Sequence, residues 1–565
     1  MRAWYRVELG HTACNDRGAF RGAYYGRVVT FENTLGLHSM TSPKATGAPS
    51  GLFNRFLTTV EFLGNLLPHP ITLFALFCVV IVVGSGIAEY VGLAVEDPRP
   101  VGARGRAPGG IIEVVSLMSV EGLQRIVTGL VKNFTNFAPL GTVLVAILGV
   151  SVAEHSGLLS ALMRNMVMEA SKRLVTFVVV FAGILSNTAS ELGYVVLIPL
   201  AAMIFYSLGR HPLAGLAAAF AGVSGGYSAN LLLGTIDPLL AGITTPAAQM
   251  IDPDYVVGPE ANWYFMMVSV FLISALGTFV TEKIVEPRLG VYDRSEAGED
   301  LADTAIDKVS DIEKRGLRWA GVAFVAMCLL LAWTIVPADG VLRHPQTGEV
   351  AGSPFLKGIV AFIFITFAIP GFVYGRVVGT MKNDRDVIDA MSKSISSMGL
   401  YIVLVFFAAQ FVAFFKWTNF GTIMAIKGAA LLQAMNLTGP EVFLGFIFLC
   451  ALINLSLGSA SAQWAATAPI FVPMLMLIGY APETIQAAYR IGDSVTNVIT
   501  PMMSYFGLIL AVAARYKKDI GIGTLISIML PYSMIFFVGW VALFYLWVFG
   551  LGMPVGPASP IYYQP

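Results

Sequence analysis

Residues 454–501 decide how this chain folds, and they read NLSLGSASAQWAATAPIFVPMLMLIGYAPETIQAAYRIGDSVTNVITP. A Gly/Ser run stands between two apolar arms, and the helix that follows carries Arg490, Asp493 and Asn497 before Pro501 breaks it. In a lipid bilayer, charged side chains and broken helices occur only where they face protein or a water-filled cavity. The stretch therefore predicts a site rather than a simple membrane span.

The composition is that of a membrane protein. The chain has 565 residues, of which 56% are hydrophobic and 12% charged, whereas soluble proteins carry about 25% charged residues. Thirty-five basic residues balance thirty-five acidic ones, and no basic run suggests nucleic acid. The four cysteines and six histidines are dispersed, without disulfide or zinc spacing. We expect an all-α polytopic membrane protein with lipid as its surroundings and no metal or cofactor.

The apolar runs divide the chain into two halves with about nine transmembrane helices and two re-entrant hairpins. Residues 1–39 lack any helical or strand period, and we interpret them as a disordered tail or a start-site artefact that precedes Met40. The first half is predicted over 40–285, with a hairpin at about 174–208 and a broken helix at about 212–245. A cytoplasmic acidic loop over 286–317 separates it from the second half, which is predicted over 318–550 with a hairpin at about 450–478 and a broken helix at about 483–514. A tail over 551–565 follows the second half.

The two halves resemble each other. SNTASELGYVVLIP at 186–199 matches GSASAQWAATAPIFVP at 458–473, and each is followed by an Ala-rich helix, an asparagine (Asn230 or Asn497) and a proline (Pro238 or Pro501). Interrupted segments at corresponding places in two halves mark the substrate site of inverted-repeat transporters. The alternative is two unrelated Gly/Ser-rich helix contacts, since small residues also favour close packing in membranes.

Short polar side chains at the hairpin tips are candidate ligands for a carboxylate-bearing solute; they include Asn187, Thr188 and Ser461. Arg490 could clamp a substrate carboxylate with two hydrogen bonds, or it could pair with Asp493 one helical turn away. Trp464 could stack on an aromatic substrate or simply pack.

Asp237 and Asp493 lie in the two broken helices and are candidate sites for a coupling proton or cation, with Glu191 in the first hairpin tip as a third. Each aspartate could instead cap a half-helix. The amides of Asn230, Asn454 and Asn497 need partners in apolar segments. We assign Glu154 and His155 to the structural scaffold.

Basic residues beside the spans place the amino terminus and an amphipathic arm (VIDAMSKSISSM, 387–398) in the cytoplasm and the carboxyl terminus outside. The chain has no nucleophile elbow, phosphate-binding loop or zinc signature, so we predict a transporter driven by an ion gradient and not an enzyme.

Three motifs resemble the AbgT family of bacterial p-aminobenzoyl-glutamate transporters: SNTASELGYVVLIPLAAMIF, GYSANLLLGTIDPLLAGIT, and NLSLGSASAQWAATAPIFVPML with AYRIGDSVTNVITPMMSYFG. The likeness extends from about Leu52 to Gly550. It implies a homodimer in the bacterial inner membrane with an elevator-like fold of the ion-transporter superfamily. By motif position, the family's functional residues fall on Asp237, Asn454, Ser461, Trp464, Pro482, Arg490, Asp493 and Pro501.

The resemblance implies secondary active transport of p-aminobenzoyl-glutamate and related aryl carboxylates, or efflux of sulfonamide antimetabolites, with protons as the expected coupling ion and sodium as the other possibility. The alternative is a sodium-coupled dicarboxylate carrier of the same architecture. Arg490 and Trp464 together favour an aryl carboxylate over a plain dicarboxylate. The direction of transport stays open.

Overall fold

The computed structural model describes residues 68–189, 192–297, 308–350 and 352–564. The predicted tail at 1–39 therefore lies outside the described residues. Ser190 and Glu191 also lie outside the described residues, and Glu191 is the third candidate for ion coupling. Residues 298–307 of the predicted acidic loop lie outside them as well.

The first half consists of apolar helices joined by short turns, because its apolar runs are interrupted by Gly, Pro and small polar residues. Its helices are α1 (Pro70–Tyr90), α2 (Val120–Thr135), α3 (Ala138–His155), α4 (Leu158–Met168), α5 (Val175–Ser186), α6 (Ile198–Ser207), α7 (Pro212–Phe220), α8 (Ile236–Ala248) and α9 (Trp263–Val280). Single-turn or π-helical segments lie at Asn187–Ala189, Gly193–Leu197, Ala221–Gly225, Thr281–Val285 and Glu286–Leu289. Two short antiparallel strands, β1 (Ala94–Glu96) and β2 (Ile111–Glu113), add to the predicted helices.

The second half follows the same plan. Its helices are α10 (Asp311–Ile335), α11 (Ile359–Val378), α12 (Asp384–Ser397), α13 (Gly399–Trp417), α14 (Phe420–Ala434), α15 (Val442–Leu457), α16 (Ala460–Leu477), α17 (Pro482–Val495), α18 (Phe506–Tyr516) and α19 (Ile522–Phe544). A single turn at Pro354–Lys357 precedes α11, and π-helical Tyr545–Gly550 ends α19. Helix α10 begins inside the predicted acidic loop, where Ser310 and Glu313 form a capping box.

Eight helical segments in the described part of the chain are long and apolar enough to cross a bilayer, as the all-α membrane class requires. One of the eight is α16, which is an arm of the second hairpin. The broken helices are divided into arms too short to qualify alone. Counting each broken helix as one span gives the predicted nine spans and two hairpins.

The end of the hairpin, the start of the broken helix and its break recur at a constant distance along the sequence. The first hairpin (175–207) and first broken helix (212–248) correspond to the second hairpin (442–477) and second broken helix (482–516). Pro212 and Pro482 each begin a broken helix and are 270 residues apart, as are Gly222 and Gly492. The breaks, 226–235 and 496–505, also correspond at this distance. The repeat therefore runs without insertions from the end of each hairpin through the break of the following helix.

Each broken helix packs closely on an arm of its own hairpin at a glycine. A Cβ atom on Gly222 would clash with the Val180 carbonyl oxygen. A Cβ atom on Gly492 would lie 2.6 Å from the Ile447 carbonyl oxygen, which is also too close. No larger residue fits at either contact. The two glycines thus hold the hairpins in corresponding positions in the two halves.

The structure corrects three details of the sequence prediction. The second hairpin begins at Val442 rather than at about residue 450, because its first arm is the helix α15, which continues through Asn454 to Leu457. Helix α3 ends at His155 and Gly157 takes a φ of +88°, so that a separate short helix, α4, which was not predicted, follows. The 270-residue correspondence matches Asn497 with Tyr227 rather than with Asn230, and Pro501 with Leu231 rather than with Pro238.

The spans outside the hairpins pack reciprocally between the halves. Helix α1 packs on α13, and α11, which holds the same place in the second half, packs on α3. Reciprocal pairing of this kind is what a pseudo-twofold axis between two repeats produces. The scaffold brings the tips of both hairpins beside α3 and the junction of α12 with α13.

The predicted tail at 551–565 is a packed part of the structure over its described residues. The Ala481 N–H donates to the Ile561 carbonyl over 3.1 Å, and the Tyr563 N–H donates to Gly479 over 2.9 Å. These contacts place the tail over the start of the second broken helix.

Candidate functional site

A cavity of about 630 Å³ lies between the tips of the two hairpins and the scaffold helices beside them. Its wall includes residues of both hairpins, both broken helices, the end of α3 and the junction of α12 with α13. Ligand sites commonly measure about 300–1,000 Å³. The volume is therefore sufficient for a small organic solute.

The first hairpin brings Asn187 to the cavity, where α5 ends. Only 7% of this residue is exposed, and neither polar atom of its side chain has a hydrogen-bond partner in the described structure. Because buried amides are normally paired, a donor and an acceptor remain available at the cavity wall.

The second hairpin brings its turn and the first turn of α16 to the cavity. Gly458 has a φ of +54°, which ends α15, and Ser459 then leads into α16 at Ala460. The Ser459 and Ser461 hydroxyls lie 3.4 Å apart, and both residues line the cavity. The first N–H groups of a helix lack intrahelical partners and attract anions, so this wall suits a carboxylate.

A buried ion pair behind the cavity joins the two broken helices. The Arg490 Nη1 donates to Asp237 Oδ1 over 2.7 Å, and Nη2 donates to the Ser228 carbonyl over 2.7 Å. The other Asp237 oxygen accepts from the Asn230 amide and, over 2.8 Å, from the Gly234 N–H. Arg490 therefore fixes the break of the first broken helix rather than pairing with Asp493 on its own helix.

Asp493 is also buried, and its carboxyl group has fewer hydrogen-bond partners than that of Asp237. One carboxyl oxygen accepts from the Tyr489 hydroxyl at 3.3 Å, and Oδ2 has no hydrogen-bond partner among the described residues. The side-chain amide of Asn454, in the second hairpin, donates to the backbone carbonyl of Asp493 over 2.6 Å and to Asn497 Oδ1 over 2.8 Å. Asn454 therefore connects its hairpin to the end of α17.

Trp464 packs within the protein. Its ring stacks on Tyr489 with centroids 4.2 Å apart, and its Nε1 donates to the Thr244 hydroxyl over 2.8 Å. The residue is fully buried and does not line the cavity. Its contacts attach α16 to α8 and α17.

The sequence profile of the AbgT putative transporter family matches residues 55–563, which is nearly the whole chain. The chain belongs to the AbgT family. It is accordingly a multi-pass membrane transporter and not an enzyme.

Relatives of this AbgT transporter include one protein named for its substrate. The p-aminobenzoyl-glutamate transport protein of Escherichia coli (strain K12) is 38% identical over 498 residues, covering 88% of this chain and 95% of that protein. Among solved structures, Neisseria gonorrhoeae MtrF, described with a class of antimetabolite efflux pumps, is 66% identical with a TM-score of 0.85 and covers 90% of this chain and 100% of its own. The Alcanivorax borkumensis YdaH transporter, described as having an unusual topology, is 46% identical with a TM-score of 0.80 and covers 87% and 100%.

The site residues predicted from the sequence of this AbgT transporter fall into two groups, those that line the cavity and those that do not. Asn187, Ser461 and Asn497 line the cavity. The others that the structure describes do not line it; these are Thr188, Asn230, Asp237, Asn454, Trp464, Pro482, Arg490, Asp493 and Pro501. Thr188 donates its hydroxyl to the Leu185 carbonyl, Pro482 begins α17, and Pro501 lies in the second break. Three of the predicted residues thus belong to the wall, and the other nine that the structure describes lie elsewhere in the protein.

The scaffold side of the cavity was not predicted from the sequence. Lys393, Glu154 and His155 line it, although we assigned the last two to the scaffold alone. Four tyrosines that the analysis did not single out also contribute: Tyr194, Tyr227, Tyr401 and Tyr505. Tyr194 and Tyr505 stack with centroids 4.7 Å apart. Lys393 lies in a predicted arm helix whose charges resemble those of any solvated face, so no local signal marked it.

A separate acidic cluster lies beneath the C-terminal tail. Glu483, in the first turn of α17, accepts from the Tyr255 hydroxyl over 2.9 Å. Glu260, in the loop before α9, is buried, and its Oε2 has no partner in the described residues. Burial raises the pKa of Glu260 to about 7. None of these residues lines the cavity, and the cluster was not predicted.

Proposed function

We propose that this AbgT transporter carries p-aminobenzoyl-glutamate and related aryl carboxylates, or sulfonamide antimetabolites, across the bacterial inner membrane by secondary active transport. The names of the Escherichia coli relative and of the Neisseria gonorrhoeae structure support these substrates. The cavity between the hairpin tips carries the proposal, because it combines aromatic rings, hydroxyls and a helix N-terminus in one volume.

The chemistry of the cavity fits an aryl carboxylate. The stacked rings of Tyr194 and Tyr505 offer an aromatic surface, and aromatic groups associate by offset stacking or edge contacts. Ser461 and the first turn of α16 offer hydrogen-bond donors for an anionic group. An aryl ring joined to a carboxylate matches both features.

The two buried aspartates differ in their suitability for ion coupling. Asp237 is already neutralised by Arg490 at 2.7 Å and holds two further donors. Asp493 has one carboxyl oxygen without a partner in the described residues, so a proton or a cation can be accommodated there without breaking an ion pair. We therefore assign coupling first to Asp493, with protons as the coupling ion. Asp237 and Glu191 remain further candidates.

Flux in reconstituted liposomes tests this function. Radiolabelled p-aminobenzoyl-glutamate is followed under an imposed pH gradient without sodium, and then with a sodium gradient. We expect movement that follows the pH gradient, is lost in Asp493→Asn, and persists in the matched control Asp339→Asn, whose carboxyl lies in a short loop remote from the cavity. A strict sodium requirement would favour the sodium-coupled carrier. No movement under either gradient would contradict the substrate assignment.

The family resemblance also supports a homodimer, which native mass spectrometry of the detergent-purified protein tests. A monomer mass alone would overturn that part of the proposal.

A further inference from the structure

We infer that Lys393, together with His155, forms the anion-recognising wall of the cavity and selects substrates that carry carboxylates. This inference rests on the proposed function, because it names the part of the protein that reads the charge of the same substrates. It gives a recognition role to scaffold residues outside both hairpins.

The first step is that Arg490 does not supply charge to the cavity. Its two terminal nitrogens are engaged by Asp237 and by the Ser228 carbonyl, and the residue is fully buried. An arginine paired with a carboxylate adds no net charge to its surroundings. A substrate carboxylate in the cavity needs another cation.

The second step is that the scaffold supplies this cation. Lys393 lines the cavity and is exposed, and no ion pair or hydrogen bond of its ammonium group occurs with the described residues. His155 lines the same wall, and its Nδ1 lies 3.0 Å from the Ser151 carbonyl. Because a carbonyl only accepts, Nδ1 carries a hydrogen, and Nε2 can donate to a substrate carboxylate only when the ring is the doubly protonated imidazolium. Glu154, the acidic residue in this wall, has interactions of its own in the structure.

The third step is that Lys393 lies on a helix that is packed against the scaffold. Lys393, Ser397 and Tyr401 follow one another at intervals of four residues and all line the cavity, across the junction of α12 with α13. One helical turn before Lys393, Ala390 packs with Val152 of α3. The ammonium group is therefore presented to the cavity from a helix packed on the scaffold, rather than from a hairpin.

The two walls of the cavity consequently differ in chemistry. The hairpin wall offers amide and hydroxyl groups and the stacked Tyr194 and Tyr505, whereas the scaffold wall offers the Lys393 ammonium group beside His155 and Glu154. A glutamate-bearing aryl substrate has an aromatic end and a dicarboxylate end, which fit these walls separately. A neutral aryl sulfonamide uses only the first wall, so Lys393 should distinguish the two substrate classes.

The test compares binding of a charged and a neutral ligand to the purified full-length protein. Radiolabelled p-aminobenzoyl-glutamate and sulfanilamide are titrated against the wild type, Lys393→Gln and Lys393→Arg. Because Lys393→Gln removes a charge-assisted hydrogen bond, we expect it to weaken the binding of p-aminobenzoyl-glutamate about tenfold. The binding of sulfanilamide should weaken by less than about twofold. Lys393→Arg should retain most of the affinity for the charged ligand, and His155→Gln should cause a smaller selective loss.

Arg385→Gln is the matched control, because it removes the same charge from an exposed position of α12 that does not line the cavity. It should change neither affinity. Unchanged p-aminobenzoyl-glutamate affinity in Lys393→Gln, or an equal loss for both ligands, would overturn the inference while leaving the proposed function intact. Failure of the wild type to bind either ligand would instead contradict the proposed function.

Discussion

Arg490 of the second broken helix donates to Asp237 of the first over 2.7 Å, and both side chains are about 1% exposed. The contact crosses the boundary between the two halves of the repeat. Because the Arg490 guanidinium also holds the Ser228 carbonyl in the first break, one side chain fixes the geometry of both broken helices. The hairpin tips, and hence the cavity, depend on that arrangement.

Removal of Arg490 alone should be strongly destabilising. Arg490→Ala leaves the Asp237 carboxylate buried without its counter-charge, which typically costs about 3–5 kcal/mol. Adding Asp237→Asn removes the unpaired charge, so the double variant should recover part of the loss. Thermal unfolding in detergent measures both. A double variant that loses at least the sum of the two single losses would contradict this explanation.

The Trp464 indole should contribute through packing more than through its hydrogen bond. Trp464→Phe keeps an aromatic ring on Tyr489 and loses the bond from Nε1 to Thr244, at a cost of about 1–2 kcal/mol. Trp464→Ala also leaves a cavity, at about 3–5 kcal/mol. Unfolding measurements compare the two. Equal losses would show that the stack contributes little.

The two repeat glycines should tolerate no side chain. Gly222→Ala and Gly492→Ala would place a Cβ against the backbone of Val180 and Ile447, and overpacking costs about 1–3 kcal/mol or more. Gly445→Ala, on the second hairpin with nothing near its Cβ, is the control and should be neutral or slightly stabilising. Yield and melting temperature report the difference. A normal melting temperature for both repeat variants would exclude the close contact.

Glu260 should make stability depend on pH. Burial raises its pKa from 4.5 to about 7 in the folded protein, so the folded state binds this proton more tightly than the unfolded state. Ionisation of the buried carboxyl therefore destabilises the folded state. This destabilisation is absent below pH 4.5, grows between pH 4.5 and 7, and above pH 7 reaches its full value, on the order of 2–3 kcal/mol. Glu260→Gln should therefore raise the melting temperature at pH 8 and have little effect at pH 4.5.

The control for this prediction is Asp254→Asn, an exposed carboxyl in the same loop, which should show no such dependence. The same stabilisation by Glu260→Gln at both pH values would contradict the role of burial.

The local sequence was sufficient to predict the hairpins, the broken helices and the buried charges. Prolines and small polar residues interrupt apolar runs visibly, and Asp237, Arg490 and Asp493 are conspicuous in apolar surroundings. The amphipathic α2 and the short helices α4 and α14 were missed, because runs of 11 to 16 residues resemble loops or parts of spans. Asn454 was predicted to need a hydrogen-bond partner, but the sequence did not identify one, since its partners lie at the end of α17 and in the break after it.

The scaffold wall of the cavity could not be predicted in the same way. Lys393 lies on an amphipathic helix where a charged residue is ordinary, and only the packing of α12 on α3 brings it to the hairpin tips. The cross-half partnership of Arg490 with Asp237 was likewise hidden, because Asp493 offered a nearer partner along the helix. In both cases the deciding contact joins residues far apart in sequence.

Protection of a cysteine in the cavity tests most directly whether substrate binds between the hairpin tips. Ser461→Cys is introduced after the native cysteines are replaced, and its modification by a maleimide is timed with and without saturating p-aminobenzoyl-glutamate. Ser396→Cys, exposed on α12 but outside the cavity lining, is the control. We predict that the substrate slows modification at position 461 and leaves position 396 unchanged. Equal rates at position 461 with and without bound substrate would contradict the assignment of the cavity.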